Sequence, residues 1–580
     1  MTPTKVIATT TMIALHEETH AYVQPITTTR VTFRIRLFDA DDASVTMIWW
    51  HRHHPDKTHR LVMESLNIKE TSSFCHGTLT SSGPLRYIRY VFEITSHGAI
   101  SHYSPEGLTS HFPTMSFQYL YTNKDDVFSV PSWAIGATGY HIFVDRFDKT
   151  GDDNRDIVPW DSKPSRTNVF GGTLKGIEER LPYIKNLSVD VLILTPIFKA
   201  SSNHKYDTLD YHAVDPTFGT TDDLKRLVEK AHSLGIKVIL DGVFNHVGYH
   251  SRWFQDAVER GPASPFFDWF MVKGGKIDTS RRNYAMVGDY KWMPKLNHAN
   301  PDVTSMLLDV GSSWINKADI DGWRLDVADE IPRPFWHAFS RHVKSHKQDI
   351  LLIGESWKNP AEHLDVDLFH STMNYPLRDA VIRFFITSSI SAHQFSKLVE
   401  DILFTIPEPF WHVTYTLLGS HDTPRIRTLS KDNRDAQDLA LAFLVSFVGM
   451  PVIFYGDETG LKGQNDPACR KSMPWNRLDD KRIKTTQDTL ALRQSFPVLK
   501  DGTFSHIVFS DDLYGIIREN SQSRVLVVFN RGKTDQDIDV SDLGIVSTEL
   551  HLQENRIHMK AGTFQIMRIQ ERMVSETSKT

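Results

Sequence analysis

Cysteine is almost missing from this chain: 580 residues include two, Cys75 and Cys469, far apart in sequence. Neither a disulfide framework nor a metal knuckle can be built from them. Such sparing use of thiols suits a reducing compartment. An excess of positive charge is also absent, since the formal net charge is -6, and this excludes a protein that coats nucleic-acid phosphates. Long hydrophobic runs are scarce. The longest, Leu439 to Tyr455, approaches the length of a membrane span, but Gly449 and Pro451 interrupt it. It reads as a buried helix, a turn and a buried strand Val452 to Tyr455. At the start a single Lys precedes a Thr-rich stretch reaching Met12 to Leu15, with no full apolar region or small-residue cleavage site, so the expected location is cytoplasmic. There is no internal repeat.

What is present is the balance of a globular protein, 40% hydrophobic and 23% charged. The length exceeds what one core serves, so several domains are expected. Residues 1–125 are β-rich. Val31 to Leu37 alternates apolar and polar positions, Tyr87 to Ile94 forms a second strand candidate, and Ser, Gly and Asp fill the turns, so an N-terminal β-sandwich is predicted. From residue 126 the period changes. Strand candidates at Tyr140–Val144, Asp190–Leu194, Lys237–Leu240, Trp323–Asp326, Ile350–Ile353, Met373–Tyr375, Thr414–Leu418 and Val452–Tyr455 alternate with helical stretches. Eight such units predict a (β/α)8 barrel over 126–498, of fold class α/β. One connection, about 247–299, is too long for a simple loop and rich in aromatics such as Trp253, Phe254, Trp269, Phe270 and Trp292. It is read as an inserted lobe after the third strand. From 499 short strands return, including Val525–Phe529, and a C-terminal β-sandwich closes the chain.

Four clusters carry chemistry: Asp241-Gly-Val-Phe-Asn245-His246, Gly322-Trp-Arg324-Leu-Asp326, Gly354-Glu355-Ser-Trp357 and Ser420-His421-Asp422. Each follows an apolar run, where a barrel gathers residues distant in sequence onto its C-terminal rim. Arg324 and Asp326 share one strand face by period two. The guanidinium would keep the carboxylate ionised and oriented, as a nucleophile needs. Glu355 ends an apolar strand beside Trp357, a setting in which a carboxyl group keeps its proton, as a general acid needs. That pair matches acid and nucleophile in double-displacement glycoside hydrolysis. Asp422 adds a third carboxylate. Taken singly, each cluster has a structural reading as a turn or an ion pair. Their joint order argues for an active site.

The clusters resemble the four sequence regions of the α-amylase family of glycoside hydrolases. The resemblance implies Asp326 as nucleophile, Glu355 as general acid/base, Asp422 as transition-state stabiliser, Arg324 as the nucleophile's partner, and His246 and His421 as ligands of the sugar at the cleavage point. Asn203 to Tyr211, Met293 to Asn297, Met373 to Pro376 and Asp466 to Arg470, with Ala14-Leu-His16 and Tyr22 to Pro25, resemble the neopullulanase, cyclomaltodextrinase and maltogenic amylase group. That likeness implies stacking by Tyr206 with His204 nearby, an outer sugar held by Asp466 and Arg470, an acceptor-side aromatic at Trp357, and substrate-binding places for Arg324 and Glu330, while Ser356 and Asp329, which border the acceptor sites, depart from the family's pattern. It also implies cyclodextrins, pullulan and short maltodextrins as substrates, transglycosylation, and a homodimer formed through the N-terminal module. No cofactor is required by this reading. Calcium has a candidate loop in Asp148, Asp153, Asn154 and Asp156, weakened by Thr173 where calcium-binding relatives carry Asp. The alternative is a non-catalytic sugar-binding member of the same fold.

Overall fold

A computed structural model describes residues 12–40, 42–68, 74–150, 157–357, 363–543, 545–546 and 556–571. The chain divides into two compact units, one of residues 130–388 and 412–501, the other of residues 1–129, 389–411 and 502–580.

The first unit is a parallel barrel. Its strands are β1 (Gly139–Ile142), β2 (Val191–Leu194), β3 (Lys237–Gly242), β4 (Gly322–Leu325), β5 (Leu351–Gly354), β6 (Ser371–Thr372), β7 (Tyr415–Leu417) and β8 (Met450–Phe454). They pair in the order β6-β5-β4-β3-β2-β1-β8-β7, each in parallel with its neighbour. A parallel bridge between Met373 and Tyr415 draws the two ends of that sheet together. Apart from Lys237, every residue of these strands is buried. Continuous apolar runs are what a sheet covered on both faces requires.

The helices begin and end where their side chains dictate. In α1 (Leu174–Asn186) the Thr173 hydroxyl accepts from the Gly176 amide at 3.0 Å. Before α2 (Thr221–Ser233), Thr220 and Asp223 form a reciprocal capping box. Gly235, just past its end, takes φ +69°, a left-handed turn that suits glycine. Asn300 caps α3 (Pro301–Ala318), with Pro301 in the first turn. Buried Leu224, Leu227, Val303 and Leu307 face the core, each contributing about 1.5–3 kcal/mol relative to exposure. The run from Leu439 resolves into the end of a helix at Arg434–Ser446, ten of whose residues are buried, followed by β8. Among the described residues no helix is long and apolar enough to cross a membrane.

After β3 the chain builds a small lobe with an aromatic core of its own. Helix Arg252–Arg260 buries Trp253 and Phe254. Phe254 meets Phe270 and Tyr284 at 5.0 and 4.9 Å, and Trp253 stacks on Trp269 at 5.8 Å.

The second unit holds antiparallel sheets. One N-terminal sheet centres on Arg30–Phe38 and the other on Arg86–Ser96, and Phe33, Tyr90 and Phe117 pack in the core. The C-terminal strands Thr503–Ser510, Leu513–Glu519, Arg524–Asn530 and Thr563–Arg568 close over Ile507, Leu526, Val528, Ile538 and Met559. Helix Ala392–Thr405, which lies between β6 and β7 in sequence, belongs to this unit. Its Glu400 meets His506 Nε2 at 3.0 Å, and the buried Arg34 guanidinium donates to the Phe404 and Ile406 carbonyls.

Candidate active site

The rim beyond β3, β4, β5 and β7 places the sequence clusters side by side. Hydrogen bonding continues past the strands: Asp326 N donates to Gly242 O at 3.1 Å, and Glu355 N to Leu325 O at 2.9 Å. Both carboxylates therefore hang from the sheet itself.

Arg324 lies beneath them, fully buried. Its Nη1 donates to Asp241 Oδ2 and to Asp326 Oδ1, each at 2.9 Å. Nη2 approaches Glu355 Oε2 at 2.8 Å, an ion pair out of line for a hydrogen bond. Asp326 and Glu355 thus share one guanidinium and cannot lie farther apart than its span plus two polar contacts. Between them Val327 takes φ +46° and ψ +46°, a left-handed conformation rare for a β-branched residue. Its amide donates to Glu355 Oε2 at 3.1 Å.

Three carboxylates around one cation, out of water, resist full ionisation. Burial first, and then the Glu355 charge, raise Asp326 well above the ordinary carboxylate range despite Arg324. Burial likewise raises Asp241. This differs from the expectation that Arg324 alone would hold the nucleophile ionised: the guanidinium is divided among three partners.

A second network runs through Tyr206. Its hydroxyl donates to Asp241 Oδ2 at 3.0 Å and lies 2.7 Å from His421 Nε2. His421 Nε2 is also 3.0 Å from Asp422 Oδ2. Burial lowers His421 well below its usual range, with Arg470 and Arg324 adding to the effect, so the ring is neutral. With the Tyr206 proton spent on Asp241, the proton of the imidazole belongs on Nε2, where it can serve Tyr206 or Asp422. Burial also lowers His246 to about 4 and His204 to about 3. His246 Nε2 donates to the Tyr206 carbonyl at 2.9 Å. These histidines are neutral hydrogen-bonding groups.

Arg470 joins two of the acidic groups: Nη2 meets Asp422 Oδ1 and Nη1 meets Asp466 Oδ1, both at 2.9 Å. The sequence reading paired Arg470 with Asp466 and missed its hold on Asp422. Trp357, half exposed, lies flat on Tyr375 at 3.8 Å and 5°. One cavity of about 790 Å³ is lined by His204, Tyr206, His246, Asp326, Glu355, Trp357, His421, Asp422, Asp466 and Arg470, a size suited to a ligand site.

Two expected substrate ligands are placed elsewhere. Arg324 sits behind the carboxylates, and Glu330 is occupied by Lys295 Nζ at 3.0 Å and by Asn245 Nδ2 at 3.3 Å; neither lines the cavity. The wall also includes Arg146, Asn203, Tyr290, Trp292 and Met293. Arg146 holds it together by donating to the carbonyls of Arg470 at 2.7 Å and Asn168 at 2.9 Å. An Asp-Arg step after β1 is the one sequence signal for it.

Of the candidate calcium loop, the structure describes Asp148. Asp148 Oδ2 accepts from Arg180 Nε at 2.6 Å, so a cation already occupies that carboxylate, and the Thr173 hydroxyl is spent on capping α1. Asp153, Asn154 and Asp156 lie outside the described residues. Among the described residues no group of three or more His, Cys, Asp or Glu could hold a metal.

Known proteins sharpen this picture. The family model for the alpha amylase catalytic domain matches residues 141–498. A cyclomaltodextrinase of Thermoanaerobacter pseudethanolicus is 34% identical over 91% of this chain and 94% of its own length. Neopullulanase 2 of Thermoactinomyces vulgaris is 36% identical over 90% and 91%, and an intracellular maltogenic amylase of Bacillus subtilis 34% over 92% and 93%. A solved cyclomaltodextrinase structure matches with a TM-score of 0.88 and 32% identity, covering 96% of this chain and 99% of that one. With the barrel, its rim of carboxylates and these relatives together, the chain belongs to the α-amylase family of glycoside hydrolases, in its cyclomaltodextrinase, neopullulanase and maltogenic amylase group, and is an α-glucan hydrolase.

Proposed function

We propose that this enzyme cleaves α-1,4 bonds, with α-1,6 bonds as a second target, in cyclodextrins, pullulan and short maltodextrins, with retention of anomeric configuration. The observation that carries the reading is the pair Asp326 and Glu355, held by one guanidinium on the wall of one cavity. With the proton of the crowded carboxyl group carried by Glu355, the ionised Asp326 attacks C1 while Glu355 gives that proton to the leaving oxygen; the C1–O bond breaks and a glycosyl ester forms on Asp326. Glu355, now ionised, takes a proton from water, which attacks C1 and releases Asp326. A sugar hydroxyl in place of that water gives transglycosylation. Asp422, fixed by Arg470, hydrogen-bonds sugar hydroxyls as positive charge builds at C1. Tyr206 and His421 line the place of the reacting ring, and Trp357 offers a face to the acceptor.

The substrate range follows the printed names of the relatives, cyclomaltodextrinase and neopullulanase. No metal takes part in these steps. A homodimer through the N-terminal module is supported by exposed Ile13, Val62, Ile100, Met115, Leu120 and Tyr121 on that module. The cytoplasm is favoured by the relatives named intracellular.

The decisive experiment is a product profile on β-cyclodextrin, pullulan and soluble starch, with the anomer of the first product followed by proton NMR. Panose from pullulan, rapid ring opening, slow starch cleavage and an initial α-anomer are expected, unchanged after exhaustive chelation. An initial β-anomer, or tight sugar binding without release of reducing ends, overturns the reading.

A further inference from the structure

Among the described residues of the barrel unit, four large apolar side chains stand exposed: Met271, Tyr290, Trp292 and Trp357. The three aromatic ones all lie on the wall of the catalytic cavity. Large rings left open to water, gathered at one concave surface, mark a place where an apolar face is to be covered. Trp357 has a role already through its place beside Glu355. Tyr290 and Trp292 do not.

Their backbone is held firmly. Val287 N donates to Met293 O at 3.1 Å, Tyr290 N to Val287 O at 3.0 Å, and Met293 N to Tyr290 O at 3.0 Å, so the segment is two linked turns. Gly288 takes φ +48° to make the first of them. Tyr249 N donates to Trp292 O at 2.9 Å and ties the tip back to the lobe. The Trp292 ring has Tyr249 edge-on at 5.5 Å and Lys291 Nζ 4.4 Å from its centre. A ring fixed before its ligand arrives loses little entropy on binding.

We propose that Tyr290 and Trp292 form an aromatic platform of the inserted lobe that stacks a glucosyl unit remote from the cleavage point, making the enzyme favour glucans long enough, or ring-shaped enough, to reach it. A glucopyranose offers an apolar C–H face to such rings and carries no charge, which fits a surface that presents an aromatic pair. The inference rests on the α-glucan reading of the same cavity.

The test compares kcat/KM for β-cyclodextrin and maltoheptaose with that for maltotriose in the parent protein and in Trp292→Ala, Tyr290→Ala and Trp292→Phe variants. The ratio of long to short substrate is expected to fall roughly tenfold for each Ala variant, through KM, and to be largely restored by Trp292→Phe. In a Glu355→Gln background, β-cyclodextrin is expected to change tryptophan fluorescence, and adding Trp292→Phe to remove much of that change. Equal losses on long and short substrates, or none, overturn the platform. A parent protein that releases sugar from none of them overturns the function reading instead.

Discussion

Asp321 and Asp326 stand at opposite ends of β4, both buried, with inverted surroundings. Below the strand, Asp321 has more partners than it can use: the Val238 amide and Lys237 at 2.9 Å, Lys347 at 2.9 Å, and His232 at 2.6 Å. Burial opposes its charge, yet His232, the Val238 amide, Lys347 and Lys237 together hold it far below the ordinary range. Above the strand, Asp326 competes with Asp241 and Glu355 for one guanidinium and is raised. One end spends cations to fix a carboxylate, and the other starves carboxylates of a cation. The first serves stability and the second keeps a carboxyl pair ready to exchange a proton, as the two faces of a barrel divide these tasks.

The strongest test of that contrast is Asp326→Asn. Activity on β-cyclodextrin should fall by roughly 10³-fold or more, as on removing a nucleophile, while the melting temperature stays level or rises, because a strained buried charge is gone. A fall in melting temperature would break the comparison. Asp321→Asn should do the reverse: stability lower by about 3 kcal/mol, the cost of leaving buried partners unpaired, read by urea unfolding, with kcat within about threefold of the parent.

A smaller effect lies in pH. Asp321 has a depressed native pKa, so its contribution is present above the unfolded value of about 4 and is lost as pH falls through the lower native value. Asp326 has a raised one, so its penalty is full above the native value and vanishes as pH falls toward about 4. Stability differences between parent and each Asn variant, measured from neutral pH downward, should therefore shrink first for Asp326→Asn and only below about pH 4 for Asp321→Asn. The same order in both variants would remove the electrostatic basis of the contrast.

Much of this was legible in the residues. Strands buried on both faces are apolar without alternation, and a carboxylate follows the apolar run at two of them, so Trp323 to Asp326 and Ile350 to Glu355 stood out. β6 was harder. It is two polar residues, Ser371 and Thr372, two positions before the expected start at Met373, and the Ser371 hydroxyl accepts from the Tyr415 amide at 2.9 Å. No periodicity announces such a strand. Helix Ala392–Thr405 has an ordinary amphipathic stripe, and nothing in it says that its Phe404 carbonyl will accept from Arg34. Arg470 was visible as a partner of Asp466, one helical turn's spacing away, but its bond to Asp422 spans a fold that the spacing does not encode. Tyr290 and Trp292 were lost in a lobe full of aromatics, because sequence does not separate rings that pack inward from rings that face a cavity.

Val327 is the residue whose neighbours depend most on its discomfort. Its left-handed backbone turns the peptide between the two acids so that its N–H reaches Glu355, at a cost of roughly 1–3 kcal/mol. A glycine there would relax the chain and free that amide to wander, so the protein is tied to a branched side chain in a posture that branching resists. Comfort at this single link would come out of the aim of the acid beside it.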